Sequence, residues 1–172
     1  MSDTSRSIHK HQRGITLIEL LVAIALVGLL SAGIAGMISQ LLTINTRTSN
    51  HMVAVRQVQQ AGKEVSKDAL QAQSLESGNS SGLLLTLAWI EWETGDLHEV
   101  VYTLENMSGG LKKLQRSHSV NDEEPTVTRI AQYIDPDQTS CVWSGGELAF
   151  AVTSTVGGQS ETREYKVQPR PG

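Results

Sequence analysis

From Ile15 to Ile38 the chain runs almost without interruption through apolar and small residues, broken only by one carboxylate, Glu19. As an α-helix, a run of about 24 residues extends roughly 36 Å, enough to cross the hydrocarbon core of a bilayer with some tilt. The segment is therefore expected to lie in a membrane at some stage. Glu19 is the anomaly, because an ionised carboxylate in hydrocarbon costs on the order of 2.5 kcal/mol or more and needs a partner.

A length of 172 residues leaves room for that helix and one small soluble domain, and for no second catalytic domain. The net charge of -4 supplies no basic field, which argues against nucleic acid as a primary partner. Cys141 is the only cysteine, so an internal disulfide or a CxxC metal or redox site is excluded. Aromatic residues make up only 4% of the chain while Gly, Ser and Thr are plentiful, which suits a light, loop-rich β domain better than a dense enzyme core.

Arg6, Lys10 and Arg13 precede the apolar run, with His9 and His11 beside them and Asp3 as the sole acid. By the positive-inside rule this end stays in the cytoplasm and the remainder is exported. A cleaved secretory signal is the alternative, with Ser31, Ala32, Gly33, Ala35 and Gly36 resembling a peptidase site. Against it stand an apolar run longer than the ~7–15 residues of a signal core, the presence of Glu19, and a helical pattern that continues beyond the run.

Gly14 followed by Ile15-Thr16-Leu17-Ile18-Glu19-Leu20-Leu21-Val22-Ala23-Ile24-Ala25 resembles the class III signal of type IV pilins and type II secretion pseudopilins. The resemblance implies a prepilin peptidase that cuts between Gly14 and Ile15 on the cytoplasmic side and methylates the new amino group of Ile15. It also implies other pilins or pseudopilins as partners, and an assembly ATPase and a polytopic platform protein acting indirectly. Ile15 departs from the usual phenylalanine after the cut, with similar apolar character. The chemistry is coherent on its own terms: Gly14 lets the scissile backbone enter a narrow groove, and a new α-amino group with a pKa near ~8 would be largely cationic. In a bundle of such helices, Glu19 of one subunit can pair with the amino terminus of a neighbour, neutralising two costly charges and setting register. The alternative is that Glu19 snorkels to the cytoplasmic interface.

Polar residues increase after Ile38, yet no strong breaker appears until Ser77-Gly78-Asn79-Ser80-Ser81-Gly82, so one helix is expected from Ile15 to about Leu75. Its second half places Met52, Val55, Val58, Gly62, Val65, Ala69 and Ala72 on one stripe. Arg56, Gln60, Lys63, Glu64, Lys67 and Asp68 fall mostly on the remaining surface, as for an amphipathic helix laid on a sheet. Gly28, Gly33 and Gly36 in the membrane half permit close helix contact in lipid. Period-two runs then follow at Leu83–Trp92, Glu99–Glu105, Leu111–Ser119, Thr126–Ile134, Ser140–Ser144, Leu148–Val156 and Thr162–Gln168, punctuated by glycine-bearing turns.

The expected fold class is α+β: a long N-terminal helix packed on a small, mainly antiparallel β-sheet domain. The expected divisions are a leader over 1–14, a membrane and assembly helix over 15–38, an amphipathic helix over 39–76 and a β domain over 83–170. Thr46–Gln59 and Gly158–Val167 resemble corresponding parts of the J-type minor pseudopilins.

Candidate catalytic groups are sparse. His51, His98 and His118 are far apart in sequence and lack metal-like spacing. Asn121-Asp122-Glu123-Glu124 and Asp135-Pro136-Asp137 are read as solvated acidic loops, with calcium binding the alternative. Trp89, Trp92, Trp143 and Cys141 are read as core residues, with an exposed recognition patch the alternative for the tryptophans. No catalytic residue, cofactor or metal is expected. The leading expectation is a minor, tip-located pilin or pseudopilin subunit, single-pass in the cytoplasmic membrane before assembly and exported afterwards, serving secretion, DNA uptake, adhesion or motility. A membrane-anchored exported binding domain that enters no filament is the alternative from another class, and an exported enzyme is third.

Overall fold

A computed structural model describes residues 16–78 and 82–169. Among these residues there is one α-helix, α1 (Leu17–Gln71), followed by eight strands: β1 (Ser74–Ser77), β2 (Leu83–Ile90), β3 (Leu97–Asn106), β4 (Lys112–Val120), β5 (Thr126–Ile134), β6 (Ser140–Ser144), β7 (Glu147–Val156) and β8 (Gln159–Val167), with short 3-10 turns at Ser108–Gly110 and Pro136–Gln138. The chain divides between Ile44 and Asn45 into two units. Among the described residues the first holds Thr16 and the N-terminal part of α1; the second holds the rest of α1 and the sheet.

Every strand pair is antiparallel. The order runs β1-β2-β3-β4-β5-β7, with β8 along one edge of β7 and β5 and β6 sharing the other. β6, β7 and β8 pair in succession through two-residue glycine turns: Gly145-Gly146 and Gly157-Gly158 all have positive φ, as mirror-image turns require at both central positions. This is the α+β arrangement expected from the sequence, and the strand limits differ from the expected ones by three residues at most.

Within the second unit, α1 crosses the face of the sheet. Val58, Ala61, Val65 and Ala69 pack with Leu85, Leu87, Val100, Tyr102, Leu114, Ile134, Leu148, Phe150 and Val152 in one core. The small residues on the helix stripe bring its backbone close to the sheet. Gly62 is the extreme case, since a Cβ there would fall on the Tyr165 ring, whose hydroxyl donates to the Val58 carbonyl at 3.2 Å.

Two expectations about the helix need correction. It stops at Gln71 rather than near Leu75, because the Gln73 N–H bonds to the Ala88 carbonyl at 2.9 Å and Ser74–Ser77 pair with β2 as an edge strand. Strand pairing supplies partners for the backbone there and overrides local helical preference. Met52, assigned to the buried stripe, is half exposed, while Ala54 takes the buried position.

Candidate assembly helix and polar sites of the sheet domain

In the first unit, Thr16 stands immediately before α1. Its side-chain oxygen accepts from the Glu19 N–H at 3.3 Å, and its carbonyl accepts from the N–H groups of Glu19 and Leu20 at 3.1 and 3.2 Å. Thr16 therefore caps the helix, and Glu19, three residues on, sits in the first turn where the helix dipole favours a carboxylate. Glu19 is exposed and forms no ion pair among the described residues. Gly14 and Ile15 lie outside the described residues.

From Leu17 to Ile44 the apolar side chains face outward, Leu17 at 82% and Leu29 at 75% exposure. Each large side chain left in water forgoes roughly 1.5–3 kcal/mol of burial, so this helix needs lipid or other helices around it. It is long and apolar enough to span a bilayer. A Cβ built on Gly28, Gly33 or Gly36 would meet nothing within 4 Å, so the helix surface is open to close approach at these positions.

A family model for the prokaryotic N-terminal methylation motif matches residues 9–35. Over this stretch the chain is similar to type IV prepilins. The matched stretch contains Gly14, Ile15 and Glu19, and with the apolar helix it describes a single-pass, membrane-anchored protein carrying a prepilin peptidase signal. No curated protein and no solved structure matches the chain.

The sheet domain buries one ionic cluster. Asp68, 1% exposed, receives the Tyr102 hydroxyl at 2.6 Å, Arg116 Nε at 2.6 Å and Arg116 Nη2 at 3.1 Å. The three residues tie α1 to β3 and β4. Hydrogen bonding to Asp68 raises the Arg116 pKa further, and burial, followed by the nearby Asp68 charge, pushes that of the Tyr102 hydroxyl far above its ordinary value. With both carboxylate oxygens occupied by donors, the cluster is a structural clamp. Placing Asp68 on the exposed helix surface is thus corrected: it follows Val65 by one turn and faces Arg116, which shares the inward side of β4 with Leu114. The available signal was Arg116 at an inward, alternating strand position, since a cation there calls for a buried acid.

The β3–β4 pairing also joins two histidines that sequence spacing kept apart. His98 Nδ1 and His118 Nε2 are 3.0 Å apart, and the ring centroids are 5.2 Å apart with planes inclined by 15°. The nitrogen gap plus one ring radius on each side accounts for the centroid separation, so the rings meet edge to edge through a shared hydrogen bond. One of these nitrogens donates its N–H to the lone pair of the other, so the facing pair is used in this bond rather than turned toward a common metal. Trp89 lies parallel to both, 5.2 and 6.1 Å away. Burial, then Arg116, lowers the His118 pKa. Among the described residues no three of His, Cys, Asp and Glu gather into a metal-binding group.

The remaining singled-out residues divide. Trp89 is buried, whereas Trp92 is 94% exposed and Trp143 is partly exposed, which corrects the reading of all three as core. Cys141 packs at the edge of the core, and burial pushes its thiol pKa up to about 12, leaving it protonated and unreactive at neutral pH. Asp122, Glu123 and Glu124 are exposed, and Asp135 accepts from the Asp137 N–H at 3.0 Å, closing a short turn.

Proposed function

We propose that this chain is a minor subunit of a type IV pilus or type II secretion pseudopilus, similar to the J-type pseudopilins. It is cut between Gly14 and Ile15, methylated on Ile15 and assembled with other pilins. The methylation motif over residues 9–35 carries this reading, and the outward-facing apolar helix that follows the proposed cut supports it. After cleavage, Ile15 bears a cationic amino group four residues from Glu19, and in a bundle of such helices the Glu19 carboxylate meets the amino group of a neighbour. Removing both charges from hydrocarbon together avoids leaving either one alone there. The assembly ATPase and the platform protein supply the work, and the N-terminus faces the cytoplasm before export.

The intact mass of the chain extracted from membranes of a host with the peptidase tests the processing step. Loss of Met1 through Gly14 with one added methyl is expected, and cleavage near Ala35 would refute it. Glu19 is tested separately. Glu19→Ala and Glu19→Leu should keep membrane anchoring and lose incorporation into filaments; incorporation at the wild-type level would refute the assembly role given to Glu19, whereas absence of the wild-type chain itself from filaments would leave the anchored, filament-free binding domain as the better reading.

A further inference from the structure

We propose that the groove between the C-terminal turns of α1 and the β2–β3 hairpin docks an extended partner segment in which acidic residues alternate with large apolar ones. The groove lies wholly within the sheet domain, and the inference does not rest on processing or on Glu19. Its lining joins Lys63, Lys67 and Leu70 of α1 to Ile90, Glu91 and Trp92 at the end of β2.

The apolar part is unusual in its exposure: Leu70 is 52%, Ile90 53% and Trp92 94% exposed. A clustered apolar surface with a polar rim marks an interaction site, and exposed tryptophan is the residue type that most often dominates such sites. Trp92 also stands on a fixed platform. The Gly95 N–H bonds to the Glu91 carbonyl at 2.9 Å, and the Glu91 N–H bonds to the Asp96 carbonyl at 2.8 Å. Asn121 holds the hairpin from the next turn, accepting from the Leu97 N–H at 2.9 Å and donating to Asp96 at 2.7 Å. On the opposite side the Gln73 side chain accepts from the Ile90 N–H at 3.2 Å. A groove ordered in advance loses little entropy on binding.

Charge selects the occupant. Lys63 and Lys67 lie one turn apart on α1, and neither forms an ion pair among the described residues. Glu91 is the acid of the lining, so the groove is net cationic on a chain of net charge -4. An acidic segment is attracted to this face and repelled by the rest of the surface, which gives orientation as well as affinity. A segment that alternates acidic and apolar residues can set its acids over Lys63 and Lys67 and its apolar side chains over Trp92, away from Glu91 and Glu93, which a uniformly anionic membrane surface cannot do.

The test uses the full processed chain in nanodiscs, labelled with 5-fluorotryptophan, with the Trp92 fluorine resonance assigned by Trp92→Phe. The probe is a short fluorescent peptide alternating glutamate with leucine, and the control replaces glutamate by lysine. The expected result is saturable anisotropy and a Trp92 shift with the acidic peptide only, weakening with salt. Lys63→Glu/Lys67→Glu and Lys63→Gln/Lys67→Gln should each weaken binding about tenfold or more while leaving the melting temperature unchanged. Equal binding of both peptides, or binding of neither, overturns the proposal. So does broadening of Trp92 by paramagnetic lipid, which identifies a membrane contact, or a concentration-dependent shift without peptide, which identifies a second copy.

Discussion

Asp68 is held by three donors from two strands, and its loss would strand Arg116 and the buried Tyr102 hydroxyl at once. Asp68→Ala should therefore destabilise the sheet domain by about 3 kcal/mol or more, whereas replacing Asp68 and Arg116 together by apolar residues of similar volume should cost much less. Urea unfolding of both variants measures the difference, and equal losses would show that the cluster matters through packing rather than charge. Gly62 offers a second test at this scale. Alanine there gains about 1 kcal/mol of helix preference, but its Cβ must displace the Tyr165 ring and break the bond to the Val58 carbonyl. Gly62→Ala should be net destabilising by about 1–2 kcal/mol, and adding Tyr165→Ser should remove most of the clash. Gly62 was legible in the sequence as part of the stripe. The ring that makes it necessary was not, since Tyr165 lies more than a hundred residues away.

At the scale of elements, β5 carries an irregularity against β4: Lys112 pairs with Ile134 and Leu114 with Ala131, so two residues of β5 face one of β4. Tyr133 takes a positive φ of 59° within it. The bulge takes the Gln132 N–H out of the regular ladder, and Gln57 on α1 receives it at 2.6 Å. Gln57→Ala leaves a half-buried N–H without this partner and should cost about 1–3 kcal/mol; Gln57→Glu, which retains the acceptor, should cost less. Hydrogen exchange at Gln132 reports the change locally, and unaltered protection in Gln57→Ala would rule out the role given to Gln57. The strands themselves were largely legible, because alternation and double-glycine turns act over a few residues. β1 was not: Ser74–Ser77 has no strand pattern of its own and is recruited by the exposed edge of β2.

For the whole molecule, the pH dependence of stability has a definite sign. The folded state lowers the His118 pKa below its ordinary 6.5, so the unfolded chain binds this proton more tightly. The neutral form is fully accommodated above that value, and stability falls as pH drops below about 6.5. Asp96 acts later in the same direction, because its hydrogen bonds with Thr94 and Asn121 keep its carboxyl below its ordinary 3.8 and are lost on protonation. Melts near pH 7.5 and pH 5 should show a lower midpoint at the acidic end, and His118→Phe should reduce that drop. A midpoint that does not move in wild type would contradict the arrangement of the histidine pair.

Local information was enough to specify the membrane-length helix, the prepilin-type signal, the amphipathic stripe and most of the strand sequence. Each depends on residues a few positions apart: an apolar run, a glycine before it, a period of 3.6 or of two. Tertiary structure alone decided where α1 ends, which acid is buried, which histidines touch and which tryptophan stays in water. Those outcomes depend on pairing and burial between segments distant in the chain, where a buried charge or an unpaired backbone group costs more than local preference can offset.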